Sequence, residues 1–190
     1  MVVADFQGQR VLLSNVPWAT YVLLSDTVDA PGVHMTYLHG DLEIARTSSR
    51  NHEVTKSLIR RMLQVACFDH DIPLYGYGST TLRDEQKACG LDPDESFCRG
   101  ADREIPDVAI EVVVSNAAID KLKVYEGLGV REVWIFENKK TRVLALRSAG
   151  YEAIAKSEVF PEVDFATLLQ FAGEPDQHAA LVAFRETLRG

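Results

Sequence analysis

The clearest helical pattern in the chain lies in residues 49–70, where apolar residues recur three or four positions apart. These residues are Val54, Leu58, Ile59, Met62, Leu63 and Ala66. A period of about 3.6 residues predicts an amphipathic helix that buries one face. Asn51 is the predicted N-cap, and Glu53 places a negative charge in the first turn. Similar spacing predicts further helices at 117–128, 165–171 and 177–188.

Runs of apolar and β-branched residues predict the strands. The strongest run spans residues 107–114, and weaker runs span 74–82, 94–98, 132–136 and 142–146. Residues 35–44 surround a central Gly40-Asp41 and predict a hairpin. The segments at 84–93 and 99–106 are predicted as loops, and residues 10–30 as an irregular arm with a short helix.

The predicted elements follow the order helix, strand, strand, strand, helix, strand. Helices that flank a mixed central sheet are typical of an α/β (α+β) domain. With 190 residues and 46% hydrophobic content, the chain is long enough for one well-buried core and short for two. We therefore expect a single domain over residues 1–190, with an N-terminal arm at 1–34, a core at 35–147 and a C-terminal extension at 148–190.

Composition narrows the possible classes of protein. Apolar runs are far shorter than the roughly 20 residues that cross a bilayer, and the first residues lack a basic region followed by an apolar one. We expect a soluble, cytoplasmic protein without a membrane partner. The three cysteines have the spacing of neither a CxxC pair nor a zinc finger, so reduced, structural thiols are expected.

Net charge weighs against binding to nucleic acid. Twenty Lys and Arg residues against 28 Asp and Glu residues give a net charge of −8, which repels a phosphate backbone unless basic residues gather on one face. Any DNA binding should be weak, non-specific and steeply dependent on salt. The candidate contacts are Arg60, Arg61, Lys139, Lys140 and Arg142.

Two acids share one face of the predicted strand 107–114. Asp107 and Glu111 are four residues apart and therefore about 13 Å apart, too far to share one ion. A hairpin that pairs Cys98 with Asp107 instead sets Asp94 directly opposite Glu111, with facing side chains about 5 Å apart. Like charges at such positions destabilise a sheet, and a bound hard cation compensates for them.

The spacing alone leaves a second interpretation open. Both acids can lie on a solvated strand face, or Asp94 can cap a turn after Pro93. Lys121 bears on the choice, because it falls within the apolar stripe of the predicted helix 117–128 whereas Lys123 falls outside it. A lysine in such a stripe either extends its ammonium to water along the apolar surface or points at the carboxylates of the adjacent strand.

At these residues the chain resembles the Uma-two family of putative restriction endonucleases, within the PD-(D/E)XK nuclease superfamily. The resemblance runs from about residue 11 to 171. The matching stretches are Tyr37-Leu38-His39-Gly40-Asp41-Leu42-Glu43-Ile44, His52, Pro93-Asp94-Glu95-Ser96-Phe97, Pro106-Asp107-Val108-Ala109-Ile110-Glu111-Val112, Ile119-Asp120-Lys121-Leu122, Gly129-Val130-Arg131-Glu132-Val133-Trp134 and Gly150-Tyr151-Glu152.

The resemblance implies a restriction-endonuclease-like core and a role for Asp94 and Glu111 as ligands of Mg²⁺ or Mn²⁺. The superfamily pattern has a lysine two residues after the second acid, where this chain has Val113. Lys121 is expected to replace it from the following helix. The matches at Glu43, Asp107 and His52 make these residues additional candidates, although a histidine in a first helical turn is more often a cap or a packed residue.

Two functions of different classes follow. In the first, the protein is a metal-dependent endonuclease that hydrolyses DNA, in which Asp94 and Glu111 hold the ion and Lys121 orients or deprotonates the attacking water. A symmetric homodimer would suit the cutting of both strands of a duplex. In the second, the protein is a non-catalytic module that binds nucleic acid or protein, which the net charge and Val113 favour.

Overall fold

The computed structural model describes residues 2–5, 10–28, 30–46, 49–113, 117–137, 140–172 and 174–188. The strands are β1 (Val2–Asp5), β2 (Arg10–Leu13), β3 (Val33–Leu38), β4 (Asp41–Arg46), β5 (Leu74–Gly76), β6 (Leu82–Asp84), β7 (Cys89–Leu91), β8 (Glu95–Arg99), β9 (Val108–Val113), β10 (Glu132–Glu137), β11 (Lys140–Arg147) and β12 (Gly150–Ile154). The helices are α1 (Trp18–Thr27), α2 (Arg50–Asp69), α3 (Lys121–Leu128), α4 (Phe165–Phe171) and α5 (Gln177–Thr187).

The strands form two six-stranded sheets. The first sheet has the order β1-β2-β4-β3-β7-β6 and the second has the order β12-β11-β10-β9-β8-β5. In the second sheet β9 and β10 run parallel, joined through α3, whereas the other neighbours are antiparallel. The predicted mixed sheet with flanking helices is thus confirmed, and the first sheet adds a second β layer.

Strand β9 is covered on both faces. Val108 and Ile110 pack on one side into a core with α2, α4 and α5. On the other side, Ala109 belongs to a cluster with α3 residues and with Leu91 of the first sheet. The interpretation that Glu111 lies on a solvated strand face is therefore wrong, because α3 and the first sheet cover that face.

The chain passes between the two sheets twice in the segment after α2. The predicted strand at 74–82 is wrong: β5 belongs to the second sheet and β6 to the first. The predicted loop at 84–93 contains β7, which returns the chain to β8 of the second sheet through Asp92, Pro93 and Asp94. Strands of three residues are too short to show alternation, so the pattern could not separate them.

Several element ends differ from the predictions. Helix α2 begins after Ser49, whose hydroxyl accepts a hydrogen bond from the His52 N–H at 3.1 Å, so Ser49 rather than Asn51 is the N-cap. Helix α3 begins at Lys121 rather than at residue 117, because the Asp120 carboxylate accepts a hydrogen bond from the Leu122 N–H at 3.0 Å. Gly129 closes α3 as predicted, with φ of 79°.

The terminal parts of the chain are more regular than predicted. The N-terminal segment contributes β2 to the first sheet and forms the ten-residue helix α1. The predicted hairpin at 35–44 is confirmed as β3 and β4, but the turn centres on His39 and Gly40, with φ of 50° and 97°. The strand β12 was not predicted. The helices predicted at 165–171 and 177–188 are present as α4 and α5.

Two further expectations concern cysteines and membranes. Cys67, Cys89 and Cys98 are free and buried, in agreement with the expected structural thiols. Within the described ranges, no helix combines the length and apolar character needed to cross a membrane.

Candidate functional site

A cavity of about 510 Å³ opens between the two sheets, beside the first turns of α2 and α3. Its lining combines apolar residues of β9 and β10 with polar and charged side chains. The polar and charged lining residues are Arg10, His34, Thr36, Glu43, His52, Asp94, Glu111, Asp120, Lys121, Tyr125, Glu137 and Arg142.

The register between β8 and β9 places the two predicted acids at this cavity. Phe97 pairs with Val108, and Glu95 pairs with Ile110, as the predicted hairpin requires. Extending this register by one residue sets Asp94 opposite Glu111. Both side chains line the cavity, and the residues are only 4% and 6% exposed.

Asp94 is fixed by two donors on one of its oxygens. Its Oδ2 accepts a hydrogen bond from the Val112 N–H at 2.7 Å and lies 3.1 Å from His52 Nε2. Burial alone would raise the pKa of Asp94, but the hydrogen bond with His52 and the positive charge of Lys121 bring it below its usual value. Within the described ranges, Oδ1 makes no hydrogen bond.

Glu111 has a protein donor on each oxygen. Lys121 Nζ donates to Oε2 at 2.7 Å, and the Tyr125 hydroxyl donates to Oε1 at 2.5 Å. Burial raises the pKa of Glu111, and the nearby charge of Lys121 opposes that shift in part. Glu111 is thus a buried carboxylate whose charged form the Lys121 ammonium stabilises.

Lys121 is the first residue of α3 and extends its side chain to Glu111. Burial alone would lower the pKa of Lys121, but the carboxylates of Glu111 and Asp94 outweigh burial and raise it. The hydrogen bond from Nζ to Glu111 directs the ammonium at the acids. Lys123 is 61% exposed and pairs with Glu126 at 3.0 Å, away from the cavity.

Glu43 on β4 lines the cavity but is bound to other parts of the protein. Its Oε2 accepts hydrogen bonds from the N–H groups of Ala118 and Ile119, both at 2.8 Å, and its Oε1 lies 2.6 Å from Arg10 Nε. Glu43 thus connects the first sheet to the segment that precedes α3. This arrangement suits a residue that positions Lys121 better than a metal ligand.

Asp107, the other additional acid, lies outside the cavity lining. Its carboxylate accepts hydrogen bonds from the Arg99 N–H at 2.9 Å and from Arg131 at 3.2 Å, and it pairs with Arg103. The structure therefore brings Asp94, Glu111 and Lys121 together and leaves Asp107 in a separate ion-pair cluster.

His52 belongs to the cavity although it was predicted more readily as a cap or a packed residue. The side chain is buried, and its ring nitrogens lie 3.1 Å from Asp94 and 3.1 Å from Glu53. The hydrogen bond with Asp94 raises the pKa of His52 above its usual value. His52 thus holds the carboxylate of Asp94 in place.

Sequence reasoning missed Tyr125, Arg10, His34 and Thr36 as lining residues. Tyr125 was assigned only to the apolar stripe of α3. It follows Lys121 by four residues, so a shared helix face could have indicated that both reach Glu111. The other three come from the first sheet, whose position over β9 depends on long-range packing that has no local signal.

The predicted basic contacts are not gathered at the site. Arg60 lies 3.6 Å from Glu95, and Arg61 donates to Gln177 at 3.0 Å. Lys140 is exposed and does not line the cavity, whereas Arg142 lines it and lies 3.9 Å from Glu137. Lys139 lies outside the described residues.

The ligand set for a metal ion is small. In the part of the chain that the structure describes, no three His, Cys, Asp or Glu side chains form a group that could hold an ion. A closed structural zinc site, which needs four protein ligands, is therefore not indicated there. The Asp94 and Glu111 pair remains, with two carboxylates from neighbouring strands.

Comparisons with known proteins agree with this fold. A crystal structure of a putative nuclease belonging to DUF820, from Anabaena variabilis ATCC 29413, is similar with a TM-score of 0.54 and 11% sequence identity. The match covers 87% of this chain and 99% of that chain. No curated protein matches the chain at a significant level. The Uma2 family model, described as "Putative restriction endonuclease", matches residues 18–174. Because this match spans most of its length, the chain belongs to the Uma2 family.

Proposed function

We propose that the protein is a metal-dependent phosphodiesterase that hydrolyses DNA. The observation that carries the proposal is the placement of Asp94 opposite Glu111 at one cavity, with the Lys121 ammonium 2.7 Å from Glu111. Membership of the Uma2 family and the fold shared with a putative nuclease support the same reaction class.

The donor set fits Mg²⁺ or Mn²⁺. These ions prefer oxygen ligands, and Mg²⁺ is commonly held by one or two carboxylates with water and substrate phosphates completing the shell. Among the described residues that line the cavity, five carry carboxylates and three are Lys or Arg. The cavity therefore has an excess of negative charge that a hard cation would offset, and Asp94 Oδ1 is available for such an ion.

Within this proposal, Asp94 and Glu111 hold the ion, which when bound supplies Lewis-acid polarisation of the phosphate. Lys121 keeps its positive charge because both carboxylates stabilise it. Its ammonium orients the attacking water by donating hydrogen bonds and stabilises the charge that develops on the phosphate oxygens. This assignment favours orientation over proton abstraction by Lys121.

The surrounding residues keep these groups in position. His52 and the Val112 N–H fix one oxygen of Asp94, and Tyr125 fixes one oxygen of Glu111. A site held by hydrogen bonds from regular elements needs little reorganisation when the substrate arrives. Helix α2, strand β9 and helix α3 each contribute one such support.

The second candidate function is a non-catalytic binding module that keeps the nuclease fold. It is favoured by Val113 at the usual lysine position, by the net charge of −8, and by the occupation of both Glu111 oxygens by protein donors. In this alternative, Lys121 serves only to neutralise Glu111. A response to divalent cations separates the two functions, because only the phosphodiesterase requires it.

The test is a cleavage assay on duplex and single-stranded DNA with Mg²⁺, with Mn²⁺ and with EDTA. The phosphodiesterase should cut in either metal and not in EDTA, and Glu111→Gln should remove the activity. The exposed Glu152→Gln is the matched control and should cut like the parent. Absence of metal-dependent products from every substrate would favour the binding module.

Binding and assembly belong to the same proposal. DNA affinity should be weak, non-specific and steeply dependent on salt, because the protein is acidic and the predicted basic contacts are dispersed. A homodimer would present two sites to one nucleic acid. Size-exclusion chromatography with light scattering, with and without duplex DNA, measures the oligomeric state. A monomer under both conditions would contradict the expected homodimer.

A further inference from the structure

A second hollow, of about 550 Å³, adjoins the cavity. His34 on β3 lines both spaces, so they meet at its side chain. The beginning of α2 also borders both: His52 lines the cavity, whereas Glu53 and Lys56 line the hollow. The two spaces are therefore neighbours along β3 and α2, and together they are called the trough.

Among the described residues, the hollow is lined by two cations, two carboxylates and three hydroxyl groups. Arg46 and Lys56 line it, together with the hydroxyl residues Ser25, Ser79 and Thr81. Its carboxylates are already bound: Glu53 lies 3.1 Å from Lys56, and Asp92 accepts hydrogen bonds from the Thr81 hydroxyl at 2.6 Å and a backbone N–H at 2.8 Å. Arg46 is exposed and forms no ion pair within the described ranges.

His34 stands at the junction as an uncharged polar group. Burial lowers its pKa, so the imidazole is neutral near pH 7 and can both donate and accept a hydrogen bond. Its ring makes no hydrogen bond with other residues in the part of the chain described. A neutral donor and acceptor flanked by cations suits the sugar and phosphate groups of a polynucleotide.

The depth of the acids restricts the shape of the substrate. Asp94 and Glu111 are 4% and 6% exposed and lie between two sheets. The phosphates of a continuous duplex follow the outside of a rigid cylinder, which reaches recessed groups less readily than a flexible strand does. A single strand can bend into the cavity and can present successive phosphates along a trough.

We propose that the substrate is a single-stranded polynucleotide that occupies both spaces. The scissile phosphate lies at Asp94 and Glu111, the strand passes His34, and an adjacent phosphate binds Arg46 and Lys56 in the hollow. The inference rests on the proposed phosphodiesterase function and specifies its substrate class. DNA and RNA share the backbone chemistry involved, so the experiment compares them.

The first measurement is fluorescence anisotropy with labelled 12-nucleotide oligomers in Ca²⁺, with gel analysis to verify that they remain intact. The probes are single-stranded DNA, RNA of the same sequence and the blunt DNA duplex. Single strands of one or both chemistries should bind at least tenfold more tightly than the duplex. Equal or tighter binding of the duplex would overturn the inference.

The second measurement locates the adjacent phosphate. Arg46→Gln combined with Lys56→Gln should weaken binding of the single strand at least tenfold. The dependence of log K on log salt should become shallower by about 0.7 for each lost phosphate contact. Lys123→Gln combined with Arg147→Gln removes two cations outside the trough and is the matched control. An unchanged affinity in the trough variant would overturn the inference, even if the parent cleaves DNA.

These experiments distinguish a failure of the binding proposal from a failure of the proposed cleavage. If Glu111→Gln abolishes metal-dependent cleavage while the trough variant binds like the parent, hydrolysis stands and the trough assignment is wrong. If no nucleic acid is cut but single strands bind through Arg46 and Lys56, the trough assignment stands as a binding site. In that case the hydrolytic function is wrong.

Discussion

Two Pro-Asp pairs precede the adjacent strands β8 and β9, yet their aspartates have different surroundings. Asp107, after Pro106, is held by the Arg99 N–H and by the guanidinium groups of Arg103 and Arg131. Asp94, after Pro93, accepts both of its hydrogen bonds on one oxygen and faces Glu111 across the cavity. The same dipeptide therefore yields a structural ion pair at one end of the hairpin and a candidate metal ligand at the other.

The two aspartates differ in the positively charged partners that the protein gives them. Asp107 has cationic partners that belong to the protein and hold its charge in the absence of any ligand. Asp94 and Glu111 share the charge of Lys121, and the surrounding cavity keeps a surplus of carboxylates. A buried pair of acids that shares one cation is a better candidate for chemistry than a single acid with several cations.

The largest effect is expected at the cavity end, for Lys121→Met. The change keeps most of the side-chain volume and removes the ammonium beside Glu111. Turnover should fall by about 100- to 1000-fold, the range found when one electrostatic donor is removed from a catalytic site. Folding should survive, because a buried Glu111 can take up a proton instead.

Lys123→Met is the matched control for this change, since Lys123 lies on the same helix with its ammonium on Glu126. Single-turnover cleavage by both variants, with thermal unfolding of each, separates catalysis from stability. Parental turnover in Lys121→Met would show that the lysine only neutralises Glu111.

At the other end of the hairpin, Asp107→Asn should affect stability and not catalysis. The substitution weakens charge-assisted hydrogen bonds from three donors and should lower the free energy of unfolding by about 2 kcal/mol. Turnover per folded molecule should stay within a factor of two of the parent. Urea unfolding measures the stability, and cleavage rates divided by the concentration of folded protein measure the turnover. The exposed Glu104→Gln is the control for both measurements. A catalytic defect without loss of stability would identify Asp107 as a functional residue of the candidate site.

A smaller effect is expected for Glu43→Gln, which tests the connection between the first sheet and α3. The amide keeps one acceptor for the N–H groups of Ala118 and Ile119 but loses the ion pair with Arg10. Turnover should fall by about tenfold as Lys121 is held less firmly. The affinity for divalent cations should change little. A complete loss of metal binding would instead identify Glu43 as a ligand.

The smallest effect concerns acid stability at the Asp107 end. The hydrogen bond from Arg99 lowers the pKa of Glu162 to about 2, whereas its ordinary value is 4.5. A depressed carboxyl pKa contributes stability above pH 4.5, and this contribution is lost as the pH falls towards 2. Glu162→Gln should flatten the loss of stability over that range. Identical pH profiles for the variant and the parent, from chemical unfolding, would show that the pair contributes nothing.

Local sequence patterns were sufficient to predict how β8 pairs with β9, and this pairing forms the candidate site. Alternation in β9 and the length of the loop before it correctly paired Phe97 with Val108, which fixes the position of Asp94 relative to Glu111. The helical projection of α3 correctly separated Lys121 from Lys123. Both predictions depend on residues that are close in sequence, where periodicity carries the information.

Contacts between segments that are distant in sequence could not be predicted, because no local periodicity reports them. Glu43 meets the N–H groups of Ala118 and Ile119 across 75 residues or more, and His52 meets Asp94 across 42. Each depends on how the first sheet and α2 pack against β9. The division of the predicted strand 74–82 into β5 and β6 was also missed, because short strands in different sheets resemble one continuous run.

We propose that Asp94 and Glu111 form one divalent-cation site. Isothermal titration calorimetry with Mn²⁺ tests this site without any substrate. We expect one Mn²⁺ site, which is lost in Asp94→Asn and in Glu111→Gln and is unchanged in Asp107→Asn. Parental Mn²⁺ binding in both cavity variants, or its loss in Asp107→Asn alone, would contradict this assignment of the site.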